Sequence, residues 1–184
     1  MPLCRAAHSQ LLLVDLQTRL FAAMAEEDRN AVLSVAGILA RAASALAIPV
    51  SYTEQYPRGL GPTEPGLLTV LPDGALRFEK TGFSCCAADG LEHTLKSVDR
   101  RQIVIVGQET HVCVLQTAFD LQKSGYQVFV VEDGVCSRKP AHKRNALERM
   151  ARGGIVVTNV ESVLFEWLGD AAHPQFKALS ALIR

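Results

Sequence analysis

A chain of 184 residues, with Lys+Arg and Asp+Glu equal at 19 each, carries no basic or acidic block. That balance argues against a nucleic-acid surface, a polybasic membrane patch or an acidic tail. The length suffices to bury one core without disulfides, so 1–184 reads as a single domain.

The first residues, MPLCRAAHSQLLLVDLQ, hold an apolar run interrupted by Asp15. The run is too short and too soon charged for a signal peptide or a membrane span. It reads instead as a strand over 10–16, buried on both faces. From Val32 the apolar residues Val35, Ala36, Leu39, Ala43 and Leu46 recur at helical spacing. A second strand is expected over 48–54, and the Gly/Pro-rich stretch YPRGLGPTEPG (56–66) is a loop. Strands follow over 75–80 and 102–107. Cys113 then stands at the head of a helix carrying Leu115, Ala118, Phe119 and Gln122, which Gly125 is placed to end. The run QVFVVE (127–132) is the next strand. A helix over about 140–152, with Pro140 in its first turn, ends at Gly153-Gly154. A strand over 154–159 and a last helix in HPQFKALSALIR complete the pattern.

Near-continuous Val, Ile and Leu suits a parallel sheet covered on both sides. Strands alternating with helices imply a doubly wound, Rossmann-like α/β fold with helices on both faces. In such a sheet ligands bind beyond the carboxyl ends of the strands. Asp15, Glu54 and Lys80 close the first three strands and Cys113 follows the fourth, so a carboxylate, a cation and a thiol converge on one rim.

Two readings of Cys113 stand side by side. A thiol at a helix N-terminus faces unpaired N–H groups and a positive dipole end, which lower its pKa and make it a nucleophile. Alternatively it is a buried small hydrophobe. Asp15, a carboxylate inside an apolar run, favours the first, because an unpaired buried charge is costly. The GQETHVC turn offers backbone donors for an oxyanion. The five cysteines are odd in number and form no CxxC, which fits a reducing cytoplasm and argues against a dithiol redox protein. Cys4, Cys85, Cys86 and Cys136 read as packing residues. The turn after the first strand lacks the glycine-rich pattern of a dinucleotide site.

The segments LLLVDLQTRLF (11–21), EKTGFS (79–84) and VIVGQETHVCVLQTAFDLQKSGYQVFVVEDGVCSR (104–138) resemble the isochorismatase-like cysteine hydrolases. These are similar to nicotinamidase and N-carbamoylsarcosine amidase. TEQYPRGLGPT (53–63) and GDAAHPQFK (169–177) look like the isochorismatase domain-containing branch. The resemblance implies a six-stranded parallel sheet and a triad of Asp15, Lys80 and Cys113. It also implies a non-proline cis peptide at Gln108–Glu109, with the N–H groups of Glu109 and Cys113 as oxyanion donors. The implied activity is hydrolysis of a C–N bond in a small amide-like substrate through a thioester, and the implied assembly a homo-oligomer, a dimer or larger. The alternative is a non-catalytic, oligomeric binding or scaffold member of the same family. Isochorismate cleavage is disfavoured because true isochorismatases lack the cysteine. Zinc is disfavoured because no histidine follows Asp15 closely or stands within 51–65. No metal and no cofactor are expected.

Phe21, Tyr56, Phe83 and Thr110 are the candidate substrate-binding residues. Phe21 is equally well plain core, and Thr110 either bonds substrate or fixes the turn. Glu54 and Gln55 are candidates for the mouth of the site. His111 is a proton-transfer candidate, but more simply a turn residue or pocket wall. Trp167 is either a core residue or a subunit-interface anchor.

Overall fold

The apolar runs assemble into one parallel sheet in the computed structural model, which describes residues 3–183. Met1, Pro2 and Arg184, the ends of the span expected as one domain, lie outside the described residues. In chain order the strands and helices are β1 (Ser9–Val14), α1 (Thr18–Phe21), α2 (Glu26–Ala45), β2 (Val50–Gln55), α3 (Pro57–Leu60), α4 (Pro65–Leu68) and β3 (Leu76–Lys80). There follow α5 (Leu91–Ser97), β4 (Gln102–Gln108), α6 (Leu115–Lys123), β5 (Gln127–Cys136), α7 (Pro140–Arg152), β6 (Val156–Thr158), α8 (Val160–Leu168) and α9 (Phe176–Ser180). The six strands pair in the order β3-β2-β1-β4-β5-β6, all parallel.

Period-two alternation divides each central strand between two cores. Leu11 and Leu13 of β1, Val104 and Val106 of β4 and Phe129 and Val131 of β5 pack with α2, α8 and α9 on one face. Leu12 and Val14, Ile103 and Ile105, and Val128 and Val130 pack with α5, α6 and α7 on the other. Each such leucine, isoleucine or valine contributes about 1.5–3 kcal/mol by leaving water. Helix α2 buries Val32, Val35, Ala36, Leu39 and Ala43 along one stripe, and Glu26, Glu27 and Asp28 suit the positive end of its dipole. It begins six residues before the expected Val32, because that acidic turn carries no apolar signal. Trp167 resolves as core: its Nε1 donates to Ser9 Oγ at 3.0 Å and to Cys4 Sγ at 3.2 Å.

Two backbone features shape the rim. Gly107 of β4 adopts φ 130°, and a Cβ placed there would meet the Val14 carbonyl oxygen at 2.0 Å. Only glycine permits this close pairing of β1 with β4. The β4–β5 register then shifts, with Ile105 opposite Val130 but Gly107 opposite Val135. This bulge carries β5 past its expected end at 132 to Cys136. Asp133 within the bulge accepts from the Val160 N–H at 3.0 Å, capping α8.

Candidate active site

The connection leaving β1 packs α2 on one face of the sheet, and the one leaving β4 packs α6 on the other. β1 and β4 are neighbours, so their carboxyl ends open a crevice at the point where strand order reverses. Asp15 stands at the end of β1, Lys80 at the end of β3, and Cys113 just past β4.

Asp15 leaves the strand with φ 52°, a left-handed conformation that aspartate tolerates better than most residues. Its N–H donates to the Thr53 carbonyl at 3.2 Å, and its own carbonyl accepts from Gln108 Nε2 at 3.0 Å. Both carboxylate oxygens are engaged. Thr53 Oγ1 donates to Oδ1 at 2.7 Å and Lys80 Nζ to Oδ2 at 2.7 Å, with both side chains of the ion pair at 0% exposure. Burial alone would lower the pKa of the Lys80 ammonium, but the negative charge of Asp15 beside it holds the value above the ordinary one.

The chain between β4 and α6 is a wide π-type turn, Thr110–Val114, entered through a cis peptide at Gln108–Glu109. Cys113 lies in this turn, ahead of regular α-helix, at 5% exposure. The structure overturns the expectation of a lowered thiol pKa. Burial, together with the charge of the nearby Asp15 carboxylate, pushes it upward, and Lys80 offsets this only in part. Burial of the turn thus works against the thiolate that helix position alone would favour.

Cys113 reaches a cavity of about 130 Å³ walled by Leu20, Leu60, Phe83 and Val112, with Gln55 and Glu109 as its polar members. Of the four candidate substrate-binding residues, Phe83 alone lines it. Tyr56 lies over a neighbouring hollow with Pro57, Thr81 and Asp89. Phe21, at 1% exposure, belongs to the core under α2 and is corrected to packing. Thr110 is fully buried and donates to the Cys136 carbonyl at 2.9 Å, so its hydroxyl fixes the turn. Glu54 likewise turns from the mouth, accepting from Thr63 N at 2.7 Å, Thr63 Oγ1 at 2.8 Å and Arg77 Nη1 at 3.2 Å. His111 pairs through Nδ1 with Ser137 Oγ at 3.0 Å, and its ring lies tilted against that of His142 with centroids 4.7 Å apart; burial lowers its pKa.

Sequence reasoning missed several supports. Thr53 and Gln108 hold Asp15, and Gln17 ties the first loop to the second strand, none announced by charge or motif type. The Glu109 carboxylate accepts from the Arg138 peptide N–H at 3.1 Å and its Nε at 3.0 Å. Burial would raise that carboxyl, but the Arg138 bonds and charge bring it below its ordinary value. Cys85 sits beside the site with Sγ 3.5 Å from Thr53 Oγ1, and burial with the nearby Asp15 charge pushes its thiol up to about 12. Cys4, Cys85 and Cys136 are buried as expected, whereas Cys86 is only half-buried. Among the described residues no three His, Cys, Asp or Glu side chains gather to hold a metal, and no helix is long and apolar enough to cross a membrane.

Residues 9–162 match the isochorismatase domain. The chain is 42% identical over 153 residues to isochorismatase domain-containing protein 2 of Xenopus laevis, spanning 83% of this chain and 73% of that one. Its fold superposes on a chain described as MAR1 ribonuclease from Caenorhabditis elegans with TM-score 0.93 and 36% identity, over 99% of this chain and 92% of that chain. The YcaC product of Escherichia coli, described as an octameric hydrolase of unknown specificity, shares the fold at TM-score 0.88 with 23% identity, covering 100% and 90% of the respective chains. The chain therefore belongs to the isochorismatase family and carries its hydrolase fold.

Proposed function

We propose that the protein is a cysteine-dependent hydrolase that cleaves a C–N bond in a small amide-like substrate through a thioester. The observation that carries this reading is the placement of the Cys113 thiol beside an Asp15 carboxylate that is itself paired with Lys80, at the wall of a cavity. A thiol with a candidate base beside it is the arrangement nucleophilic catalysis needs.

In the first half-reaction the carboxylate of Asp15 takes the thiol proton as sulfur attacks the carbonyl carbon. The Glu109 and Cys113 N–H groups receive the oxyanion, a contribution of about 3–4 kcal/mol per donor in comparable sites. The C–N bond then breaks, and the proton held by Asp15 passes to the departing ammonia or amine. In the second half, water attacks the thioester, Asp15 takes its proton, and the sulfur leaves and regains that proton. Carboxylic acid and amine are released, and Lys80 keeps its charge throughout.

The size of the cavity supports a small molecule, and the charge balance does not favour RNA as the substrate. The five free thiols support work in a reducing compartment such as the cytoplasm. Exposed Leu3, Leu76 and Phe165 support a homo-oligomer, which size-exclusion chromatography with light scattering would detect. The function itself is tested by screening small primary amides for ammonia release. Release that requires both Cys113 and Asp15 is the expected outcome; release undiminished in Cys113→Ala would refute it.

A further inference from the structure

We propose that Gln55 is a positioning residue for Lys80: its side-chain oxygen fixes the ammonium against Asp15 and keeps it a stationary charge rather than a proton carrier. The inference rests on the cysteine-hydrolase reading above. An ammonium has three N–H bonds. Those of Lys80 meet Asp15 Oδ2 at 2.7 Å, Gln55 Oε1 at 2.5 Å and the Phe83 carbonyl at 3.0 Å. The Gly82 carbonyl at 3.4 Å is a marginal fourth acceptor. Asp15 supplies charge and Phe83 only backbone, so Gln55 is the side chain that sets the remaining direction.

The orientation of the Gln55 amide follows from its partners. Its Nε2 donates to the Thr81 carbonyl at 2.7 Å, which leaves Oε1 for the lysine. The opposite orientation would set two donors against each other at Lys80 and two acceptors at Thr81. The backbone of Gln55 is clamped as well. Its N–H donates to Gln17 Oε1 at 2.7 Å, and Gln17 Nε2 donates back to the Gln55 carbonyl at 3.0 Å and to Gly61 O at 2.7 Å. The Gln17 N–H meets the Asp15 carbonyl at 2.9 Å, so one glutamine ties the loop of the acid to the strand end that carries the other. Gln55 also borders the cavity that Cys113 reaches. With every N–H occupied, the lysine has no free donor to offer a leaving group. Proton traffic falls to Asp15 alone.

The test compares Gln55→Met, which keeps length and removes the acceptor, with Gln55→Glu, which restores one. Lys80 is observed by proton–nitrogen NMR of its ammonium, assigned through Lys80→Arg. In the native protein the ammonium signal should be sharp and slow to exchange. In Gln55→Met it should broaden, with its titration lowered by about one unit. The basic limb of the kcat profile should move down with it, and kcat should fall about tenfold while KM stays within about threefold. Gln55→Glu should recover the signal. An unchanged signal and pH limb in Gln55→Met would overturn the proposal. Should Gln55→Met fail to fold, Gln55→Asn, which withdraws the acceptor by one methylene, serves with the same criteria. The NMR readout needs no turnover, so hydrolysis surviving in Cys113→Ala would sink the parent reading while leaving this one measurable.

Discussion

Lys80 and Asp15 form an ion pair of 2.7 Å with neither side chain exposed, bridging the edge strand β3 and the central strand β1. A pair so buried stabilises little by itself, yet removing one member leaves an uncompensated charge. Lys80→Met should therefore cost about 3–5 kcal/mol in urea unfolding. The double variant Asp15→Asn/Lys80→Met should recover most of that loss while remaining inactive. Additive losses in the double variant would mean that the pair is not coupled.

Cys113 should alkylate slowly with iodoacetamide at neutral pH, since burial and the Asp15 charge oppose the thiolate. Asp15→Asn removes the opposing charge and leaves the Lys80 cation. Its reaction profile should move to lower pH by about one unit or more. A shift in the other direction would contradict the electrostatic account of the site.

Gly107→Ala should be among the most damaging single substitutions, on the order of 4 kcal/mol. The added methyl would lie 2.0 Å from the Val14 carbonyl at a φ of 130°, where the two strands carrying Asp15 and Cys113 meet. A melting temperature near the native one would show that β1 and β4 part more easily than this packing implies.

The buried thiols predict an alkaline limit to stability. Burial raises Cys4 from 9.0 to about 11, and Cys85 and Cys136 from 9.0 to about 12. Because the folded values lie above the unfolded ones, the native state holds these protons more tightly. The contribution is complete below pH 9.0 and declines as pH rises toward the folded values. Between pH 9 and 10 the loss should approach about 1 kcal/mol per thiol. Thermal scans across that interval should show a steep fall, lessened in Cys136→Ala; a flat profile would argue against it.

The strands were legible because parallel, doubly covered β-structure is written as apolar runs, and each expected run pairs within two residues of its forecast bounds except at β5. That exception is the bulge at 131–134, where a Cβ on Gly134 would meet Val106 and Val35 at 2.6 and 2.7 Å, a long-range approach that leaves no local mark. Asp15, Lys80 and Cys113 stood out as charges and a thiol at the ends of apolar strands. Their grouping as a triad came only with the family resemblance, since a lysine ending a strand reads by itself as solvated. The short α1, α3 and α4, of four residues each, were not forecast because a single turn gives no periodicity, and α5 and α8 were not forecast either. The roles of Gln17, Thr53, Gln55 and Thr110 depend on where neutral side chains point. The pKa direction of Cys113 was not legible either, because burial of the turn outweighs helix position and burial is a tertiary property.

The central claim is a covalent bond at one sulfur. Acid-quenched protein, taken during turnover of a small primary amide and measured as intact mass, should carry the acyl increment, mapped to Cys113 and absent from Cys113→Ala. Turnover with unmodified protein at every quench time, in a series that includes slow substrates, or acylation at another residue, would contradict the account.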